Sequence, residues 1–394
     1  MPLLICRTGR KVRILLALIV AAITANTTIP LAQQAPGAGA SVTEEAILVY
    51  QGWRMLSDGD AGQAVQHATK ILVTYPRSIA GLTLLVEAEI VRAGPLAALD
   101  AYERWLGSRK IEDGYVIRTV ARAMLRELIK SSDAGARLEA LKALAADGDD
   151  EAFGLLKQPA DGGRLPEMFA LAAIGEERSV RGLIAQLDTG IGSRRPIIEA
   201  LGRSRNPLAI PPLTKLLTDE SLDLRSAAAT ALGRLGAKET VSAMVPLLMD
   251  GQPFPVRFSA AGALHRLGDP RGTAFLRKNL SSDHEMVRGQ AAEELAAVAE
   301  DLSWVPVAKQ LIASPDPEMR LLAARLIARQ DEAQARTVFE NLMTEQNPAI
   351  REAAGHALVN ATTSDFASLR RRLRGADLVG RVLAGSRVLE LTRR

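Results

Sequence analysis

The chain of 394 residues holds one cysteine, Cys6, which precedes an apolar segment near the start. Residues 7–394 therefore offer no thiolate for a disulfide or a metal site. Aromatic residues make up only 4% of the sequence, too few for stacking on unpaired bases and for the core of an all-β sandwich or barrel. The four histidines, His67, His265, His284 and His356, are scattered, with no HExxH pair, so no metal site is expected. Phosphate-loop, GxSxG and SxxK motifs are absent, and no catalytic residue can be named. The acidic run Asp147, Asp149, Asp150 and Glu151 has Ala152 where a calcium loop needs glycine. What remains abundant is Ala, Leu, Glu and Arg in a chain that is 47% hydrophobic. That composition predicts an all-α protein.

The formal charge of +4 and pI near 9.3 depend on position. Arg7, Arg10, Lys11 and Arg13 precede the first acidic residue, Glu44, and without them 45 basic residues face 45 acidic ones. Nucleic acid is therefore not an expected partner, because counterion release needs a surplus of cations. The basic residues 1–13, the apolar run Ile14 to Ala25 and the small residues Ala22, Ala25 and Ala32 read as a secretory signal peptide, with a leader to about residue 35. A periplasmic or secreted protein is expected, with an uncleaved membrane anchor as the alternative. A run of 12 residues is short for a bilayer, which needs about 20.

Two repeat patterns follow. From Glu44 to about Ser108, Gly52, Gly59, Ala64 and Pro76 hold the spacing of paired helices, and Ala64 recurs as Ala98, 34 residues later. This stretch resembles the tetratricopeptide repeat, with residues 115–131 as a capping helix. Farther on, Arg194, Arg225, Arg257, Arg288, Arg320 and Arg351 recur every 31 or 32 residues, each followed seven residues later by Leu or Ile. Small or apolar residues at −1, +3, +4, +7 and +10 from the Arg form one helical stripe: Leu224, Ala228, Ala229, Leu232 and Leu235 in the clearest copy. The pattern resembles the HEAT repeat in the short form of the phycobilin-lyase group, over about eight units between 134 and 373. The implied architecture is an α-α superhelix with a curved surface, closed by a basic cap or tail at 374–394.

The repeating Arg reads as structural, since in HEAT-like repeats it ties adjacent loops together. Nine residues after it, off the buried stripe, stand Arg203, Arg234, Arg266, Ala297, Arg329 and Asn360. The four arginines have two readings: complements to helix dipoles, or a basic ladder for a partner's acidic groups. A second candidate face in the tetratricopeptide-like part comprises Trp53, His67 and Tyr102. The resulting expectation is an exported, non-catalytic scaffold that binds a protein or peptide, acidic in part, along the concave face. It uses no cofactor, and its basic C-terminus is available for membrane contact. Two alternatives stand beside it: a bilin lyase-like enzyme or cofactor chaperone, and an envelope protein bridging two components.

Overall fold

The computed structural model describes residues 43–107, 112–189, 194–328, 330–361 and 366–393. The expected signal peptide and Arg329 lie outside the described residues. The described chain is helical throughout and contains no strand. The described residues divide into two compact units, up to residue 123 and from residue 124 onward.

In the first unit, helices α1 (Glu44–Ser57), α2 (Ala61–Thr74), α3 (Ile79–Ala93) and α4 (Pro95–Leu106) pack each against the next. Asp60 and Ser78 cap α2 and α3 by accepting from the backbone N–H three residues on, and Pro95 opens α4 where a missing N–H costs nothing. Ala64 and Ala98, the residues of the 34-residue period, are both fully buried. A Cβ on Gly81 would stand 2.9 Å from Ile71 Cγ2, which shows how closely α2 and α3 approach. Val49, Ala68, Ile71, Leu84, Leu85 and Ala101 form the core of this unit.

Helix α5 (Gly114–Leu128) spans the division between the units. The second unit continues with α6 (Ala134–Ala146), α7 (Asp150–Asp161), α8 (Leu165–Ala173), α9 (Glu177–Thr189), α10 (Arg194–Arg203), α11 (Ile210–Lys215) and α12 (Leu222–Leu235). After these come α13 (Val241–Met244), α14 (Phe254–Arg266), α15 (Pro270–Asn279), α16 (Glu285–Leu295), α17 (Val305–Leu311) and α18 (Pro317–Ile327). The last four are α19 (Glu332–Leu342), α20 (Pro348–Ala361), α21 (Phe366–Leu373) and α22 (Leu378–Leu391). The even-numbered helices from α6 onward pack one on the next, whereas the odd-numbered ones barely touch each other. Even-numbered helices therefore form the inner layer of a curved array and odd-numbered helices the outer one.

The repeating Arg explains the regularity. Arg225 donates to the carbonyls of Asp219 and Glu220 at 2.5 and 3.1 Å, Arg288 to Ser282 and Asp283 at 2.8 and 3.2 Å, and Arg351 to Glu345 and Gln346 at 2.7 and 2.8 Å. Arg320 repeats the geometry on Ser314 and Pro315, so each guanidinium holds the turn that precedes its own helix. The same bond six residues back is made by Arg137 to Ser131 at 3.1 Å and by Arg381 to Gly375. Helix α22 is thus a further inner helix, with Gly380, Ala384, Gly385 and Val388 buried on the same stripe.

This places the C-terminal helix differently from a cap on an open superhelix. It packs on α6, the first inner helix. Gly385 faces Leu125, where a Cβ would stand 2.9 Å from Leu125 Cγ, and Arg393 donates to the Ala146 carbonyl at 2.5 Å. The nine inner helices α6 to α22 therefore close a circuit within the second unit. Stacking exposes an apolar face at each end of an open array, and here each end covers the other.

Candidate functional site

The two candidate faces fare differently. In the first unit, Tyr102 is fully buried, with its hydroxyl donating to Glu112 at 2.7 Å and accepting from the Asp113 N–H at 3.0 Å. Its polar tip is satisfied inside the protein, so no ligand reaches it. Nε2 of His67 lies 2.8 Å from the Leu48 carbonyl, and Trp53 packs against the unit's core. Burial takes Tyr102 out of that candidate face, whereas Trp53 and His67 are partly exposed.

The inner face of the second unit is accessible and carries the charged rows. Arg203, Arg234 and Arg266 occupy the last turns of α10, α12 and α14, where the helix dipole favours cations. They are not equivalent. Arg266 is half-buried and ion-paired with Glu294 of α16, which reaches it by lying across Gly262, where a Cβ would clash with it. Arg203 and Arg234 are exposed and have no ion-pair partner among the described residues.

Two cavities open on this face. The larger, about 480 Å³, is lined by Glu293, Arg325 and other residues at the C-terminal ends of α16 and α18, together with Ala296, Val298, Leu302 and Trp304 of the segment that joins α16 to α17. Its size falls in the usual range for small-molecule sites, and its wall mixes apolar surface with two charges. Glu293 keeps accessible surface but is walled by protein, as befits a concave face. Desolvation and the neighbouring Glu294 push its carboxyl above the ordinary range, while Arg325, Arg266 and Arg234 pull it down. Arginines of three inner helices, α12, α14 and α18, thus act on a single carboxylate. The smaller cavity, about 120 Å³, lies among α10, α12 and α14 and is lined by Arg195, Glu199, Ser226, Thr230, Arg234 and Ser259 with two alanines.

Sequence periodicity places Glu199, Thr230, Glu293, Arg325 and His356 in one row, five residues after the repeating Arg. It missed Trp304, Ser226, Ser259 and the Arg266–Glu294 pair. The pair joins side chains 28 residues apart, a separation with no periodic trace in the sequence. A signal for Ser226 was present: Ser226, Thr230 and Arg234 are spaced i, i+4, i+8 on one face of α12. Among the described residues, no group of three or more His, Cys, Asp or Glu stands ready to hold a metal, and no helix is long and apolar enough to cross a membrane.

Comparison with known families matches residues 180–264, 210–296 and 305–383 to HEAT repeats. The chain is a HEAT-repeat protein. Among characterised proteins it is similar to the phycocyanin alpha phycocyanobilin lyase CpcF of Synechocystis, 32% identical over 121 residues. That match covers 29% of this chain and 55% of the relative, so the HEAT-repeat chain spans about half the relative's length. Among solved structures, the complex of CpcE and CpcF of phycocyanin lyase from Nostoc aligns over 68% of this chain and 93% of that one, at 19% identity and a TM-score of 0.36. Human deoxyhypusine hydroxylase aligns over 73% and 98% respectively, at 17% identity and a TM-score of 0.30. The lyase relative overturns the expectation of a non-catalytic scaffold that is not an enzyme. The bilin lyase-like alternative is better supported.

Proposed function

We propose that this HEAT-repeat protein is bilin lyase-like: its inner face holds an open-chain tetrapyrrole and hands it to a protein acceptor. The 32% identity to a phycocyanobilin lyase carries this reading, and the chemistry of the inner face is compatible with it. A bilin is an extended apolar pigment bearing carboxylates. The cavity of about 480 Å³ offers Leu302 and Val298 to the pigment's apolar body and Arg325 to a carboxylate, with Arg266 nearby through its effect on Glu293. Cys6 is the chain's only cysteine, so residues 43–394 contain no thiol for a thioether to the pigment. The pigment would be held by ion pairs and packing and stay extractable, as suits a protein that passes it on.

Two further readings belong to this proposal. The four-helix first unit would be a pair of tetratricopeptide-like hairpins serving the protein acceptor, and residues 1–35 would direct export. The test is to incubate the full chain with phycocyanobilin and the apo α-subunit of phycocyanin and follow pigment on the acceptor by absorbance after denaturing electrophoresis. Pigment attached to the acceptor faster and more selectively than in its spontaneous reaction supports lyase action. Attachment at the spontaneous rate contradicts it.

A further inference from the structure

The smaller inner-face cavity has no part in the pigment reading, and its chemistry is distinct. It lies where the inner helices approach most closely: a Cβ on Gly202 would stand 2.7 Å from Ala231 Cα, and one on Gly233 2.6 Å from Ala263 Cα. Helices in such contact have axes about 8 Å apart, which keeps the pocket at about 120 Å³, the scale of one small polar group.

Three hydroxyls line it, Ser226, Thr230 and Ser259. Helical hydroxyls elsewhere in this chain back-bond to a carbonyl one turn earlier: Thr69 to Val65, Thr83 to Ile79, Thr214 to Ile210 and Thr337 to Ala333. The three pocket hydroxyls make no such bond, and Ser226 Oγ is buried without any partner. A buried hydroxyl left unpaired costs free energy unless something bonds to it. The charges are arranged to match. Arg195 donates to Glu199 at 3.0 Å and also to Asp223, so the pocket's single carboxylate is already occupied by a cation. Arg234, one helical turn beyond Thr230, has no ion-pair partner, and neither does Arg203 at the equivalent place on α10. Arg234 acts electrostatically on Glu293 but has no carboxylate within ion-pair distance among the described residues, so its guanidinium can take a further anion.

We infer that Ser226, Thr230, Ser259 and Arg234 form an oxyanion-binding subsite, which takes a single carboxylate or phosphate group of a larger ligand or partner. The hydroxyls donate to its oxygens and Arg234 supplies the counter-charge. This does not rest on the bilin reading. Any ligand presenting such a group along the inner face would use the subsite.

The test is calorimetric titration of the full chain with inorganic phosphate and, separately, with propionate, against sodium chloride at matched ionic strength. Unfolding temperature is recorded in parallel. The expected result is saturable binding of at least one oxyanion that chloride does not reproduce, weakened at least tenfold by Arg234→Gln. Ser226→Ala should weaken it several-fold, while the ligand-free variant melts no lower than the parent because an unpaired hydroxyl has been removed. Tighter phosphate binding assigns the subsite to a phosphorylated ligand, and tighter propionate binding to a carboxylated one. Arg325→Gln, in the other cavity, should leave the titration unchanged even if it abolishes pigment binding, so the two proposals fail separately. Absence of saturable binding with both probes, or equal affinity in the parent, Ser226→Ala and Arg234→Gln, would overturn the inference.

Discussion

The arc α10, α12 and α14 and the arc α16, α18 and α20 follow one repeat pattern but have different interiors. In the first arc the helices meet backbone to backbone through Gly202 against Ala231 and Gly233 against Ala263. In the second they are held apart by side chains: a Cβ on Gly289 would meet the Leu322 and Met319 side chains at 3.0 and 3.2 Å, and Phe339 and Trp304 are buried in the core between inner and outer helices. Close approach leaves a small polar pocket beside exposed Arg203 and Arg234, whereas wide spacing admits a larger, partly apolar cavity at Glu293. Repeat register therefore determines where an inner-face residue stands, and helix spacing determines what kind of group it can recognise.

Large-to-small substitution should give the greatest effect. Leu232 is fully buried between inner helices of the first arc, and Leu232→Ala should cost about 2–5 kcal/mol in urea unfolding, concentrated in the adjoining repeats. A loss below about 0.5 kcal/mol would mean that the stripe is not the packing surface.

Next comes one substitution with opposite signs in the two arcs. Gly233→Ala drives a Cβ into Ala263 and should destabilise by about 1–3 kcal/mol. Gly355→Ala lies within α20 with open space around its would-be Cβ and should stabilise by about 0.5–1 kcal/mol. Equal effects of the same sign would remove the distinction in helix spacing.

A smaller effect is expected at Arg205, the only non-glycine residue with positive φ among those described, at 52°. It stands eleven residues after the repeating Arg, where Gly148, Gly236 and Gly268 sit in other units with φ of 82°, 72° and 85°. Arg205→Gly should raise stability by about 1 kcal/mol, since the left-handed backbone penalises a side chain. A fall in melting temperature would instead show that the Arg205 side chain makes a stabilising contact.

The smallest effect depends on pH. Glu293 has its pKa raised by burial in the folded state, so its ionised form opposes folding above that pKa, and the cost shrinks as pH falls through it and is gone below the lower pKa of the unfolded chain. Glu293→Gln should therefore be the more stable protein at neutral pH, with the difference closing on acidification. A gap that widens toward acid pH would place Glu293 in a net favourable ion pair.

Much of this was legible in the sequence. The Arg period and its buried stripe located the inner helices because both recur with the repeat and require no knowledge of distant contacts. Arg381 follows Arg351 by 30 residues with the full stripe behind it, but the surrounding arginines made the segment read as a basic cap or tail. Closure of the circuit by Gly385 against Leu125 joins residues about 260 positions apart, so no local pattern announces it. Tyr102 misled because scarce aromatics invite a functional reading; its hydroxyl finds Glu112 and Asp113 only once the chain has folded. The arginine row shows as four like residues in the sequence, and only the structure separates half-buried Arg266, ion-paired with Glu294, from exposed Arg203 and Arg234.

The central claim is that the second arc's cavity receives a carboxylated pigment, and an absorbance titration of phycocyanobilin into the full chain tests it most directly. The account predicts a saturable spectral change at one pigment per chain, weakened at least tenfold in the doubly substituted Arg266→Gln, Arg325→Gln protein, which should keep its helicity by far-UV circular dichroism. No saturable change, or the same affinity in the folded double variant, would contradict it.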